Sequence, residues 1–334
     1  MTTRITVLAG GMGGARFCLG VRHLVAESDV EITVIGNTGD DIWVHGLRVC
    51  PDLDSLMYTL GGGVSSERGW GREAETFHAK EELAAYGVEP TWFGLGDRDI
   101  ATHLVRTTSL NAGYSLSDVT AALCHRWQPG VTLLPMSDDR AETHVIVDDP
   151  DGTAGDDGPI RVAIHFQEWW IRHRASLPAH GFTIVGIEEA RPAPGVLEAL
   201  AEADIVLLSP SNPVVSIGTI LSVPGIRDAV RQTAAPVVGL SPIIGGAPVR
   251  GMADACLSAI GVPTTASGVA LHYGSRHDEG IIDAWLVDTV DADEVAAIEE
   301  RGIVCAAVPL LMTDPDATAR MADAALGLAG PRVR

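Results

Sequence analysis

The chain of 334 residues is 46% hydrophobic and 20% charged, which is enough apolar sequence for a well-buried core in one large domain or two closely joined ones. Its formal net charge of −21 disfavours a nucleic-acid binder, because a phosphate backbone requires a basic protein face. The same acidity is compatible with a nucleotide that is bound through a divalent cation, since carboxylates bind such cations.

Cysteine and lysine usage narrows the chemistry further. None of the five cysteines belongs to a C-x-x-C pair, so we predict reduced, mostly buried thiols and no zinc site. The chain begins without the apolar stretch of a signal peptide, and no apolar run reaches the roughly 18 residues of a membrane span, so we expect a cytoplasmic protein. Lys80 is the only lysine and has no phosphate-binding motif around it. Phosphate groups are therefore expected to bind arginine, backbone N–H groups or a metal ion.

Residues 5–35 predict a strand, a glycine-rich loop, an amphipathic helix and a second strand. Similar apolar, β-rich runs recur at 203–208, 236–240, 281–287 and 303–308, with helical stretches at 195–203 and 226–233. Strands that alternate with helices and read as continuous apolar runs are typical of a parallel sheet buried on both faces.

The middle of the chain has a different pattern. Residues 60–127 predict mainly helices, and residues 131–186 predict short strands and turns. We therefore predict an α/β fold with a Rossmann-like, mostly parallel sheet and helices on both faces, formed by residues 1–60 and 186–330. Residues 61–185 are predicted to be an inserted helical and small-strand region that covers the substrate site.

The glycine loop after the first strand is the first candidate binding element. Gly10, Gly11, Gly13 and Gly14 allow backbone N–H groups to approach an anion, and the helix N-terminus adds positive potential. Arg16 replaces the third glycine of the G-x-G-x-x-G motif, and no acidic residue ends the second strand, so a NAD(P) site is poorly supported. A tight turn without a ligand is the alternative.

Two acidic clusters follow apolar segments. Asp40 and Asp41 come after the second strand, and Asp52 and Asp54 follow after ten intervening residues. Such carboxylates at a strand end suit Mg²⁺, which takes one or two protein carboxylates and keeps several waters. One of them could instead act as a general base on a hydroxyl. The alternative is that Asp52 or Asp54 caps a helix that begins near Ser55.

Two later loops also follow predicted strands. The first contains Ser209, Ser211, Asn212 and Ser216, whose short polar side chains suit phosphates or a purine edge, with N-capping by Ser216 or Asn212 as the alternative. The second contains paired glycines, including Gly245. Both loops are predicted to bind the nucleotide at the edge of the sheet.

The middle region contains residues suited to a planar ring. Arg68, Trp70 and Arg72 combine groups that stack on rings with groups that neutralise phosphate. The segment 165–170, which contains two tryptophans, is a candidate pocket wall, although Trp-rich strands more often belong to a core. His103, His144 and His165 lack metal-ligand spacing and are interpreted as structural.

Together these motifs resemble the CofD/FbiA family, the 2-phospho-L-lactate transferases of coenzyme F420 synthesis. The resemblance spans about residues 5–329. Its motifs are at 8–16, 37–41, 50–54, 95–99, 211–213 and 241–245. The segments 46–52 and 165–170 are most similar to the actinobacterial branch.

The resemblance implies a reaction and its ligands. A guanosine diphosphate diester (LPPG or EPPG) transfers its phospho-lactyl or phospho-enolpyruvyl group to the ribityl hydroxyl of Fo (7,8-didemethyl-8-hydroxy-5-deazariboflavin). GMP leaves, and the product is F420-0 or dehydro-F420-0; the actinobacterial branch is associated with the enolpyruvyl donor. The resemblance also implies Mg²⁺ bound by Asp40 and Asp52, a guanine nucleotide on the strand-end loops, and a homodimer.

Phosphoryl transfer requires mainly positioning and charge neutralisation. Mg²⁺, the Gly10–Gly14 amides and an arginine, with Arg16 and Arg72 as candidates, are expected to neutralise the diphosphate, while Asp40 or Asp41 helps to deprotonate the hydroxyl. A NAD(P)-binding oxidoreductase and a non-catalytic guanine-nucleotide-binding protein are the alternatives. Replacing Asp40 by Asn separates an enzyme from a sensor, because only the enzyme loses turnover while its fold stays intact.

Overall fold

The computed structural model describes residues 2–65, 71–152, 154–155 and 158–330, with a seven-stranded sheet at its centre. The strands are β1 (Thr3–Ala9), β2 (Val30–Gly36), β3 (Ile42–Val44), β4 (Leu47–Val49), β5 (Thr132–Pro135), β6 (Glu142–Asp148), β7 (Ala154–Gly155), β8 (Gly158–Pro159), β9 (Arg161–His165), β10 (Gly181–Val185), β11 (Ile205–Leu208), β12 (Val237–Leu240), β13 (Ile243–Ile244), β14 (Ala247–Pro248), β15 (Ala284–Val287) and β16 (Val304–Ala307).

Helices surround this sheet and connect its strands. They are α1 (Gly11–Leu24), α2 (Pro51–Leu60), α3 (His78–Ala85), α4 (Asp97–Asn111), α5 (Leu116–Trp127), α6 (Val196–Ala201), α7 (Ile217–Ser222), α8 (Ile226–Gln232), α9 (Ala253–Ala259), α10 (Ala266–Tyr273), α11 (Val295–Glu299) and α12 (Pro315–Leu328). A π-helical turn lies at Glu168–Arg172, and 3₁₀ turns lie at Arg276–Asp278 and Thr289–Glu294.

The central sheet has the order β16-β15-β12-β11-β1-β2-β5, and every neighbouring pair is parallel. The chain runs outward from β1 through β2 to β5, then returns beside β1 with β11 and continues outward on the other side. The direction of winding thus reverses between β1 and β11, and ligands of such sheets bind beyond the carboxyl ends of strands at this switch point. The predicted α/β fold with a mostly parallel sheet is confirmed.

Alternating side chains of the strands enter two separate cores. Val7 and Leu207 pack with residues of α1, α2 and α12 on one face, and Leu8 and Leu208 pack with residues of α6, α7 and α8 on the other. All four residues of β11, β12 and β15 are buried, because helices cover both faces of the sheet. This explains why the strands read as continuous apolar runs in the sequence.

The range 61–185, predicted to be an insertion, contains one strand of the central sheet. β5 pairs in parallel with β2, while the rest of the range supplies α3, α4, α5 and an antiparallel sheet of order β10-β6-β9. A four-residue apolar run does not reveal which sheet it joins, so the sequence alone does not distinguish β5 from the short strands that follow it.

The structure shows the state of the cysteines and the character of the helices. All five cysteines are free, and four of them are buried, as predicted for reduced thiols. In the described part of the chain, no helix combines the length and the apolar character needed to cross a membrane.

We predict that Gly20→Ala destabilises the fold by about 1–3 kcal/mol, because α1 packs too closely on α12 to accept a methyl group. A Cβ at Gly20 would lie 2.3 Å from Thr318 Cγ2 and 2.8 Å from the Thr318 carbonyl carbon. Urea unfolding measures the change as a lower midpoint. Gly327→Ala, on the exposed side of α12, is the control and is expected to leave stability unchanged or raise it by up to about 1 kcal/mol. Equal midpoints for Gly20→Ala and the wild type would contradict this packing.

Candidate active site

A cavity of about 1120 Å³ opens at the carboxyl ends of the central strands. Its walls come from the loops after β1, β2, β11 and β12, from α3 and the segment that follows it, and from the π-helical turn after β9. Small-molecule clefts usually measure about 300–1,000 Å³, so this cavity is slightly larger than that range.

The predicted glycine loop forms one wall of the cavity, but α1 already begins at Gly11, so the wall is the N-cap residue Gly10 and the first turns of the helix. Gly10, Gly11, Gly13 and the exposed Arg16 line it. The Asp52 carboxylate accepts from the Gly11 N–H, and the N–H groups that follow in the first turn are available to an anion. Gly14 lies behind the wall, where a Cβ would come within 2.6 Å of Ser211 Oγ.

Gly10 brings three loops into direct contact. A Cβ at this position would lie 2.6 Å from Asp52 Oδ2 and 2.7 Å from Ser216 Cβ, so only glycine fits. The Gly10 N–H donates to Ser211 Oγ at 3.1 Å, and the Ser211 hydroxyl donates to the Gly10 carbonyl at 2.6 Å. The loop after β1 is thus joined to the loop after β11 and to the first turn of α2.

Asp40 and Asp52 form a buried acid pair on the cavity wall. The Asn37 side-chain amide donates to Asp52 Oδ2 at 2.9 Å, whereas Asp40 Oδ1 is buried without a hydrogen-bond partner among the described residues. Burial, followed by the charge of Asp52, raises the pKa of Asp40 well above its ordinary value. Burial also raises the pKa of Asp52 to about 6, against the opposing effect of Asn37.

These two carboxylates fit the way in which proteins bind Mg²⁺. Within the described ranges, no group of three or more His, Cys, Asp or Glu side chains is arranged to hold a metal ion. Mg²⁺ does not need such a group, because it retains waters and typically takes one or two carboxylates together with substrate phosphates. The unpartnered Oδ1 of Asp40, beside the charge of Asp52, is a suitable ligand for a hard cation.

Asp41 has a different environment from Asp40. It is fully buried behind the cavity, where its Oδ2 accepts a hydrogen bond from Arg48 Nη2 at 3.0 Å. Arg48 also lies 3.5 Å from Glu142, so the three side chains form a buried ionic group. The structure therefore does not support the predicted catalytic role of Asp41. The β3–β4 hairpin, which the sequence did not reveal, places Arg48 beside it.

The end of β9 supports the backbone of the acid loop. Gln167 donates through its side-chain amide to the Asp40 carbonyl at 3.3 Å, and its backbone N–H donates to His165 Nδ1 at 3.1 Å. His165 Nδ1 is therefore an acceptor, which leaves Nε2 to donate to the Asp41 carbonyl at 3.1 Å. Burial lowers the pKa of His165, consistent with a neutral, structural histidine.

Asp54, which lines the cavity, belongs to a buried ion pair. The helix α2 begins at Pro51, since proline is favoured at the first helical position, so neither Asp52 nor Asp54 precedes a helix near Ser55. Asp54 accepts from Arg106 Nη1 at 3.1 Å and forms a second, shorter contact with Nη2. His103 lies beside this pair, and burial lowers its pKa to about 4, which keeps the ring neutral.

The polar side chains after β11 mainly hold the loops together. Ser209 donates to the Leu8 carbonyl at 2.9 Å and does not line the cavity, whereas Ser211, Asn212 and Ser216 do. Asn212 Oδ1 accepts from the two backbone N–H groups that follow Pro213, at 2.9 and 3.2 Å, in a turn that precedes α7, so Asn212 does not cap this helix as the capping alternative predicted. Ser216 precedes α7 but makes no capping hydrogen bond with its side chain.

Gly245 and Arg72 lie off the cavity wall. The Gly245 N–H donates to the Asp291 carboxylate at 3.0 and 3.1 Å, while Ser241, Pro242 and Ile244 of the same loop line the cavity. The guanidinium of Arg72 lies 5.0 Å from the Trp127 ring centroid and donates to the carbonyl of residue 98 at 2.7 Å. The predicted ring-binding residues Arg68 and Trp70 are outside the described residues.

An aromatic wall completes the cavity and was not predicted in this form. It consists of Tyr58, Phe77, Trp92, Phe93 and Trp170. The rings at 92 and 93 meet edge to face, with centroids 5.9 Å apart. In the π-helical turn, Trp169 is fully buried and Trp170 is 38% exposed, so the segment 165–170 serves both the core and the wall.

Two cations on the cavity wall were not assigned from the sequence. Lys80 of α3 and Arg250, which follows β14, line the cavity together with the predicted Arg16. The spacing of residues in the sequence does not indicate a place in the site for either residue. Only the fold brings the three cations to one cavity.

We predict that the unfolding free energy of Asp99→Asn minus that of the wild type rises between pH 4 and pH 7. The expected rise is on the order of 2 kcal/mol. Burial and, next, the charge of Asp54 raise the pKa of Asp99 to about 6, against about 3.9 in an unfolded chain. The wild type therefore favours the protonated acid and loses this contribution as pH rises through about 6, while Asn does not titrate. Urea unfolding at a series of pH values measures the difference. The exposed Asp323→Asn serves as control, and a constant difference for Asp99→Asn would contradict the assignment.

Comparison with known proteins places the chain in a family. Residues 5–310 match the family described as 2-phospho-L-lactate transferase CofD. A protein of Streptomyces coelicolor named phosphoenolpyruvate transferase is 64% identical over 326 residues, which cover 98% of each chain. The protein of the same name from Mycobacterium avium is 59% identical over 344 residues and covers 98% of this chain and 99% of its own length.

Solved structures agree with the fold. A crystal structure of a UPF0052 family member from Bacillus halodurans matches with a TM-score of 0.60, covering 98% of this chain and 99% of the other. At 16% sequence identity this likeness concerns the fold alone. The family match and the identity with the phosphoenolpyruvate transferases confirm the predicted resemblance, and with it the prediction of a phosphotransferase of coenzyme F420 biosynthesis. The chain belongs to the CofD family of 2-phospho-L-lactate transferases.

Proposed function

We propose that this protein transfers the phospho-enolpyruvyl group of EPPG, or the phospho-lactyl group of LPPG, to the ribityl hydroxyl of Fo, with release of GMP. The enzyme would thus be a transferase of substituted phosphate groups. The observation that carries the proposal is one cavity that joins the Gly10–Gly13 loop, the acid pair Asp40–Asp52 and an aromatic wall. The name shared by the actinobacterial relatives favours the enolpyruvyl donor.

The strand-end loops are suited to the nucleotide donor. The N–H groups that follow Gly11 in the first turn of α1, together with Arg16 and Arg250 on the wall, offer positive potential to a diphosphate. The side chains of Ser211 and Asn212 are engaged in contacts within the protein. We therefore assign to them the positioning of the loop rather than the main contacts with phosphate.

The acid pair is suited to the reacting end of the cavity. Bound Mg²⁺ would neutralise charge on the diphosphate, with Asp40 and Asp52 as its protein ligands. Asn37 orients Asp52 through its amide. Asp40 keeps one oxygen without a hydrogen-bond partner among the described residues, so that oxygen is open to the cation or to the proton of the attacking hydroxyl.

The aromatic wall is suited to the planar deazaflavin. Tyr58, Phe77, Trp92 and Phe93 offer apolar faces that exclude water and position a ring. Neither alternative accounts for this arrangement. An NAD(P) site needs an acid after β2, where Asn37 instead donates to Asp52 and accepts from the Gly39 N–H at 2.9 Å. A nucleotide sensor has no use for a second, aromatic compartment. The homodimer and the cytoplasmic location remain predictions from the sequence.

The reaction is tested by product mass after incubation of the pure protein with Fo, Mg²⁺ and either EPPG or LPPG. We expect Fo to gain the mass of the transferred phospho-enolpyruvyl or phospho-lactyl group, and GMP to appear in equal amount. The donor that reacts names the three-carbon acid. Unchanged Fo with both donors, or no binding of Fo and guanine nucleotide, would overturn the proposed function.

We expect Asp40→Asn to lower kcat by about 10²–10⁴-fold, because the variant loses a metal ligand and a proton acceptor at the reacting oxygen. Its thermal midpoint should not fall, since the substitution removes a buried charge that the fold disfavours. Asp323→Asn on the exposed side of α12 is the control and should keep wild-type turnover. Wild-type turnover in Asp40→Asn would exclude a catalytic role for this carboxylate.

A further inference from the structure

The single lysine of the chain lies on the cavity wall. Lys80 belongs to α3, and its side chain extends along the wall segment that contains Gly94, where a Cβ would lie 3.1 Å from Lys80 Nζ. No motif surrounds this lysine in the sequence. The fold alone brings it to the substrate cavity.

The wall around Lys80 is aromatic. Phe77 precedes α3, and Trp92 and Phe93 come immediately before Gly94, so the lysine shares its part of the wall with three rings. Arg16 belongs to α1 and Arg250 follows β14, at the strand ends of the central sheet instead. A ligand that reaches Lys80 is therefore one that also fits an apolar, planar slot.

Lys80 is exposed, and it forms no ion pair with any residue of the described ranges. Its neighbour Glu81 lies 3.9 Å from His78 instead. A ligand that covers this cation and displaces its water would leave the charge uncompensated unless the ligand carried an anionic group beside it.

The proposed reaction decides which anion this is. The phosphates and the three-carbon acid must lie near Asp40 and the glycine loop, where the hydroxyl attacks. The deazaflavin ring lies at the far end of the ribityl chain and carries a hydroxyl conjugated with a ring carbonyl, so that loss of its proton gives a delocalised oxyanion. We propose that the Lys80 ammonium binds this oxyanion at the edge of the acceptor ring and selects the deprotonated acceptor, an assignment that rests on the proposed function.

The experiment is an absorbance titration of Fo bound to the protein in the absence of donor, since ionisation of the ring hydroxyl changes the chromophore. In the wild type, the pKa of bound Fo should lie about 1 unit or more below that of free Fo. Lys80→Arg keeps the charge and should keep the shift. Lys80→Met should lose it and bind Fo about tenfold more weakly near neutral pH.

Other titratable groups near Lys80 are constant across these variants. On α3 they are His78, Glu81 and Glu82, and the facing start of α4 carries Asp97, Arg98 and Asp99, while residues 91–95 carry no charge. The difference between Lys80→Met and the wild type therefore isolates the lysine. Arg301→Met, at an exposed position outside the cavity, makes the same change in net charge and should bind Fo as the wild type does.

Amine acylation of the wild type gives a second readout without substitution. Lys80 carries the only side-chain amine, so mass spectrometry reports its modification directly. Fo should protect Lys80, and guanosine diphosphate alone should not. An unchanged pKa shift in Lys80→Met, or no protection by Fo, would overturn the assignment while leaving the transferase proposal in place. Failure of Fo to bind the wild type would overturn both.

Discussion

The site depends on the absence of a side chain at Gly10. Its backbone lies so close to Asp52 and Ser216 that three separate parts of the chain, more than 200 positions apart at their extremes, meet around one peptide unit. The reciprocal hydrogen bonds with Ser211 then fix the loop after β1 against the loop after β11. The same contact holds Asp52 against the first N–H group of α1, that of Gly11.

The topology makes this contact possible. β1 and β11 are neighbours at the point where the sheet reverses its direction of winding, so their two loops leave the sheet side by side. β2 lies on the other side of β1 and carries Asn37 and Asp40 to the same edge. The two hydrophobic cores, one on each face, make the sheet a rigid support for these loops. The register of the strands therefore decides which residues meet in the cavity.

The sequence predicted well what is local and repeated. The runs that became β1, β2, β11, β12 and β15 are apolar because both faces of the sheet are covered there, and the glycine-rich segment and Asp40 follow strand ends as expected. It failed where long-range contacts decide the outcome. Adjacent Asp40 and Asp41 look equivalent in the sequence, yet Arg48 holds only the second of them away from the cavity. No periodicity or spacing in the sequence indicates the aromatic wall, Lys80 or the Asp54–Arg106 pair, because only the fold brings these residues together.

The helix α3 has no buried side chain, although it forms part of the cavity wall. Its displacement exposes little apolar surface, so its local opening costs far less free energy than opening of β1 or β11, which lie in the core. Backbone amides of α3 should accordingly exchange with solvent much faster than those of the strands. The two sides of the cavity thus differ in local stability: in the proposed reaction, the ring of the acceptor would enter past a helix that opens readily, while the loops assigned to the nucleotide would stay ordered.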